Sequence, residues 1–127
     1  MSSRRRLQWT VGFLAAIPVA SAGREIVLGA QGVPGGSPDV TPTVDSALRY
    51  ANVFKLAVGP LIWSQLGRVE KSTGVTYALS SIFVGGLARL GSWQQRGRPH
   101  PVTVGAVVLE LAAPPLMVAW QRRIRAR

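Results

Sequence analysis

The sequence predicts an all-α protein, a bundle of four transmembrane helices with both termini cytoplasmic, and three observations predict it. Four apolar stretches each come close to the ~20 residues that a ~30 Å hydrocarbon core requires. Most Lys and Arg residues flank those stretches, and they crowd onto one side: Arg4, Arg5, Arg6, Arg68, Lys71, Arg122, Arg123, Arg125 and Arg127. Only Arg24, Arg96 and Arg98 fall on the other, so the positive-inside bias sets the orientation. Finally, Trp9, Trp63, Trp93 and Trp120 each lie close to the end of a stretch, where an amphipathic ring favours the headgroup level.

Composition narrows the class further. The chain has 127 residues, 47% hydrophobic and 16% charged, with 15 Lys+Arg against 5 Asp+Glu for a net charge of +10. Four spans of ~20 residues consume about 80 positions, so residues 1–127 form one integral membrane domain with no room for a soluble one. Without Cys there is no disulfide framework, thiolate metal site or catalytic thiol, and one His excludes a histidine metal cluster. A pI near 11.8 invites a nucleic-acid reading. The placement of the cations at span flanks excludes it, as does the absence of an aromatic RNA-binding signature, a basic heptad or zinc-finger spacing.

The first stretch covers residues 7–23. Its arginines, apolar core and Ala20-Ser21-Ala22 also have the layout of a cleavable signal peptide, whose removal would leave three spans. Residues 24–30 either continue this helix or lie along the interface. Residues 31–43, rich in Gly, Pro and Ser, form the one long external loop, a flexible connector or a lid over an outward-facing cavity. The second stretch, 44–65, opens with Asp45 in its first turn, four residues before Arg49, where a carboxylate complements the helix dipole. The third, 74–94, sets Ala78, Ser81, Gly85 and Ser92 on one side with Gly86 beside them, a face that a neighbouring backbone can approach closely. Arg98-Pro99-His100-Pro101 makes a tight turn at the membrane surface into the fourth stretch, 101–120. Pro18, Pro60 and Pro114-Pro115 sit inside spans, where each removes a backbone donor and kinks its helix.

Charged residues inside spans are the sharpest feature. Each costs about 2.5–3.5 kcal/mol at the bilayer centre on insertion scales, so such residues pair or face a wet cavity. Counted from the outer end at ~1.5 Å per residue, Arg49 lies about 7 Å deep, Arg89 about 8 Å, Glu110 about 14 Å and Lys55 about 16 Å. The second helix sets Asp45, Arg49, Asn52 and Gly59 on one face with Lys55 at its edge. The fourth sets Thr103, Ala106, Glu110 and Met117 on one face. If these converge with the small-residue face of the third, which also carries Arg89, then Glu110 takes a charge-assisted bond from Arg89 or Arg49. Asp45 and Glu110 cannot balance Arg49, Lys55 and Arg89, so this candidate intramembrane site carries surplus positive charge. Either that surplus is structural, with unpaired cations reaching toward the surface, or it receives an anionic headgroup or a small acidic substrate.

Catalytic patterns are thin. Asp45 and Glu110 lie at different depths for paired acid–base work, and a triad would need His100 with Asp39 or Asp45 and a serine not placed near them. Neither Gly85-Gly86 nor Gly35-Gly36 forms a phosphate-binding loop. The expectation is a protein that is not an enzyme and uses no cofactor or metal.

Several short motifs occur in order. They are Asp45-Ser46-x-x-Arg49-Tyr50, Gly85-Gly86-Leu87-x-Arg89, Gly97-Arg98-Pro99-His100-Pro101, Leu109-Glu110-Leu111, Pro114-Pro115 and Trp120-Gln121-Arg122. Together they resemble the small bacterial membrane proteins of domain of unknown function 4345, over residues 44–123 and more loosely over the first span. The resemblance implies a four-helix integral membrane protein with no assigned chemistry, and Arg49, Arg89 and Glu110 fall on its motifs; the expected location is the bacterial inner membrane. Two roles stay open: an accessory or assembly component of a membrane complex, or a binder of lipid headgroups or small anions. The expected partners are membrane lipids, with other membrane subunits or a second copy of the chain beside them, and no nucleic acid.

Overall fold

A computed structural model of the chain describes residues 2–127. Among them are four α-helices, two short 3₁₀ turns and no strand. In order these are α1 (Ser3–Leu28), a 3₁₀ turn (Gly29–Gly32), α2 (Pro42–Ser64), a second 3₁₀ turn (Leu66–Arg68), α3 (Thr73–Arg96) and α4 (Pro101–Arg125). Each helix starts at a side chain that accepts an otherwise orphan backbone N–H. Ser2 accepts from Arg5, Thr41 from Val44, Ser72 from Val75 and His100 from Val102. Pro42 and Pro101 occupy the first turns of α2 and α4, where a missing donor costs nothing. The helices outrun the apolar stretches because the arginines and glutamines that flank them are themselves good helix formers. α1 gains most, ending at Leu28 rather than near residue 23, and the turn Gly29–Gly32 extends it again.

α1 and α2 pack along their length as one hairpin, α3 and α4 as another, and contact between hairpins is sparse. Gly59 sets the first interface: a Cβ there would overlap the Val19 side chain and stand 3.0 Å from the Ala15 carbonyl. Gly86 sets the second, since a Cβ would lie 3.0 Å from Glu110 Cβ. The other expected small residues of α3 behave differently. Ala78 joins the core, whereas Ser81 and Gly85 face open space between the hairpins.

The hairpins meet at the end that carries both termini. Leu7, Val11, Ala15, Ile62, Val69, Val75, Ala78, Leu79 and Met117 form the core there. Polar side chains interlock the same end. Gln121, 1% exposed, donates to the Val69 carbonyl at 2.6 Å and the Ser72 carbonyl at 3.1 Å, and accepts from Thr76 at 2.9 Å. Trp120 donates to Ser3, Gln8 to the Leu66 carbonyl and Trp63 to the Gly12 carbonyl.

Arg4 reaches the connection between the hairpins, donating to Glu70 at 2.9 Å and to the Gly67 carbonyl. Desolvation pushes the Glu70 carboxyl up, but the bond from its own backbone N–H and the charge and bond of Arg4, with Lys71 behind them, outweigh it and hold the group below its usual value. A depressed folded-state value adds stability above the unfolded-state value and loses it as pH falls through the folded one. Arg4→Gln is therefore expected to destabilise the protein slightly near neutral pH and to flatten the acid limb of its stability profile, measured by unfolding titrations from pH 7 to pH 3; an unchanged acid limb would refute the coupling.

α1 with its extension, Ser3–Gly32, and α4, Pro101–Arg125, are long and apolar enough to cross a membrane. α2 and α3 are equally long but less apolar. α2 carries Asp45, Arg49 and Lys55, and α3 carries Arg89 among glycines, serines and threonines.

Candidate functional site

Away from the shared core the hairpins part around a cavity of about 460 Å³. Its floor is apolar, made by Val11, Ile62, Leu79 and Met117, and it is walled by all four helices. Pro18 and Pro114 line it, and Val33 and Pro34 from the long loop lie over its far end. The loop is thus folded against the bundle: Gly35, at φ +75°, lies against the His100 ring that caps α4, a contact in which a Cβ would come within 3.2 Å. Of the two readings open for this segment, its position fits a cover over the cavity.

Two ion pairs stand in the cavity wall. On the first hairpin Lys55 donates to Glu25 at 3.0 Å and to Ser21 at 2.7 Å, while Ser21 donates to Glu25 at 2.9 Å. Glu25 is 6% exposed. Hydrogen bonds from two sides meet its need for donors in a place where water does not. On the second hairpin Arg89 Nε lies 3.3 Å from Glu110 Oε2. The close approach of α3 and α4 at Gly86 produces this pair, because it sets Glu110 directly beside the turn that presents Arg89. The alignment falls short of a hydrogen bond, and buried Glu110 Oε2 has no hydrogen-bond donor among the described residues.

Of the five residues expected to share a site, Lys55, Arg89 and Glu110 line the cavity. Arg49 and Asp45 do not. Arg49 donates to Asp45 at 2.8 Å, one turn earlier on its own helix, and to the Ile26 and Val27 carbonyls at 2.9 and 3.2 Å. Asp45 also accepts from the Ala30 N–H at 3.1 Å. The pair clasps the C-terminal end of α1, satisfying carbonyls left over where the helix stops. Gly29, at φ +64°, makes room for it, since a Cβ there would overlap Asp45 and Arg49. The bond from Arg49 to Glu110, one of two anticipated, is therefore not made; Arg89 is the partner.

The expected positive surplus is corrected as well. The three cations within the predicted spans meet three carboxylates, in the pairs Arg49–Asp45, Lys55–Glu25 and Arg89–Glu110. Glu25 is the residue that sequence reasoning missed. It lies beyond the apolar stretch that ends near residue 23, but it follows Ser21 by four positions, and continuing the helical phase past Gly23 places both on the side that meets α2.

Other motif residues have local tasks. Gly97, at φ +96°, ends α3, His100 caps α4, and Gln121 bonds the α2–α3 connection. No match was found among curated proteins or among solved structures. The family model described as Domain of unknown function (DUF4345) matches residues 6–121, reaching into all four helices and through α1, beyond the stretch whose motifs carry the resemblance. The match covers most of the 127 residues, so the chain belongs to the DUF4345 family of domains of unknown function.

Proposed function

We propose that this is a multi-pass protein of the bacterial inner membrane, spanning it four times with both termini cytoplasmic, that binds a membrane-soluble ligand between its hairpins without catalysing a reaction. One observation carries the reading: polarity is distributed inside out. Phe13, Phe54, Tyr77 and Leu116, one on each helix, stand exposed on the outer surface, while Glu25, Lys55, Arg89 and Glu110 line the interior. In water that arrangement exposes apolar surface on every side, and in hydrocarbon it is the favourable one. It also accounts for α2 and α3 as spans, since the charges that lower their apolarity are paired. Retention of α1 as a span, rather than its removal as a leader, is supported by Leu7, Val11, Ala15 and Ala22, which it buries. A cavity of about 460 Å³ falls in the range of small-molecule sites, roughly 300–1,000 Å³.

The absence of native cysteine makes topology directly testable. Single cysteines at Ser37 and Arg98 are expected to react with a membrane-impermeant maleimide from the periplasmic side only. Those at Lys71 and Ala126 are expected to react only in inverted vesicles. Labelling of Ser37 and Lys71 from the same side would overturn the four-span reading. An accessory role in a larger complex keeps its support from small size and the lack of catalytic patterns, but Ser81 and Gly85 turn toward the cavity and are not free as a packing face for a partner. Stoichiometric protein partners on purification from native membrane would favour that role; a monomer or homodimer retaining a lipophile favours the cavity.

A further inference from the structure

The chemistry of the cavity wall restricts what enters it. The side chains that line it carry two charges of each sign, Lys55 with Glu25 and Arg89 with Glu110. An anion entering here meets two carboxylates as well as two engaged cations, and would have to break a pair to gain one. A cation gains nothing net, because the ammonium of Lys55 and the guanidinium of Arg89 oppose it. Among the buried side-chain atoms of the described residues one acceptor remains unmet, Glu110 Oε2, which has no hydrogen-bond donor. Leaving such an oxygen unbonded costs free energy that a single donor would recover. Arg89, beside it, offers guanidinium N–H groups in a fixed fork. A hydroxyl answers both: its hydrogen donates to Glu110 and its oxygen accepts from Arg89.

The rest of the space calls for hydrocarbon. From the Arg89–Glu110 pair the cavity runs between apolar side chains such as Leu14, Val58 and Ala106 to the floor at Met117. No second polar pair interrupts that path, since Lys55 and Glu25 are satisfied by each other and by Ser21. Resting on the ligand-binding reading above, we infer that the cavity takes an uncharged lipophile bearing one hydroxyl, a long-chain, isoprenoid or polycyclic alcohol, held by its hydroxyl between Glu110 and Arg89 with its apolar body toward Met117. This reverses the sign that the basic composition suggests: the chain is strongly cationic, and the site is neutral with an acceptor to fill.

The test uses the full-length protein in nanodiscs with three photoreactive probes of equal chain length, a diazirine-bearing hexadecanol, hexadecanoate and hexadecylamine. Crosslinks are mapped by mass spectrometry and competed with the corresponding unlabelled compounds. The expected result is saturable crosslinking of the alcohol to peptides containing Leu79 or Met117, with the carboxylate and the amine each competing at least tenfold more weakly. Glu110→Gln, which removes the charge from the acceptor, is expected to weaken the alcohol about tenfold, as for loss of one charge-assisted hydrogen bond. Ala106→Trp fills the cavity without touching a charge and is expected to abolish crosslinking, which keeps the test decisive if Glu110→Gln fails to fold. Cavity crosslinking in which hexadecanoate or hexadecylamine equals or exceeds the alcohol would overturn the assignment of ligand class and leave the binding reading intact. Absence of saturable crosslinking by all three probes would overturn both.

Discussion

Replacing Glu25 with Ala is expected to destabilise the protein by about 2–3 kcal/mol, somewhat below the roughly 3–5 kcal/mol seen when one partner of a fully enclosed ion pair is removed, because Lys55 keeps some exposure. The substitution leaves an ammonium group among apolar side chains with only Ser21 as acceptor. Lys55→Met leaves the converse, a carboxylate that is 6% exposed and holds one hydroxyl donor. Because the cost of each single change is mostly that of the orphaned partner, the double variant Glu25→Leu with Lys55→Met is expected to recover most of the loss. Reversible unfolding in mixed micelles measures all three. A double variant as unstable as the sum of the singles would mean that the two side chains do not form a pair.

A second large effect is expected at the opposite end. Gln121→Leu preserves side-chain volume approximately and removes every polar contact of a residue that is 1% exposed. The Val69 carbonyl loses its donor, while the Ser72 carbonyl keeps the N–H and hydroxyl of Thr76 and the Thr76 hydroxyl keeps the Ser72 carbonyl as acceptor. One orphaned buried carbonyl costs about 1–3 kcal/mol, so with the two weakened contacts a loss of about 2 kcal/mol is expected. Backbone amides of the α2–α3 connection should exchange faster in the variant, while crosslinking in the cavity should persist. A loss below about 1 kcal/mol would show that the connection is held by packing of Val69 and Val75 rather than by this amide.

The polar sites of the bundle differ in how far they are legible in the sequence. Arg89 and Glu110 declare themselves: each is a charge inside an apolar helical stretch, and helical phase puts each on the face that small residues mark as inward. The Arg49–Asp45 spacing of four on one helix is legible as a pair, but its place at the end of α1 is not. Both were assigned to a shared central site, yet a partner four positions away on the same helix is always within reach, and the end of α1 offers carbonyls beside it. Glu25 escaped because an apolar-run criterion ends the first helix where hydrophobicity ends, whereas helix ends are set by capping and by where glycine permits a break, here Gly29. Gln121 belongs to the Trp120-Gln121-Arg122 motif, but its role is not legible there, since its three partners lie 45 to 52 positions away.

Local rules therefore account for the four helices, their order and the inward turn of Arg89 and Glu110, because hydrogen bonding within a helix and the 3.6-residue period act over a few positions. Which carboxylate each cation meets, whether the interior is charged or neutral, and whether the hairpins close or part around a cavity depend on distances between helices. Those distances follow from the close approaches at Gly59 and Gly86 and from the core at the termini. A Coulomb pair is decided by a few ångströms, and no periodicity within one helix supplies that measure.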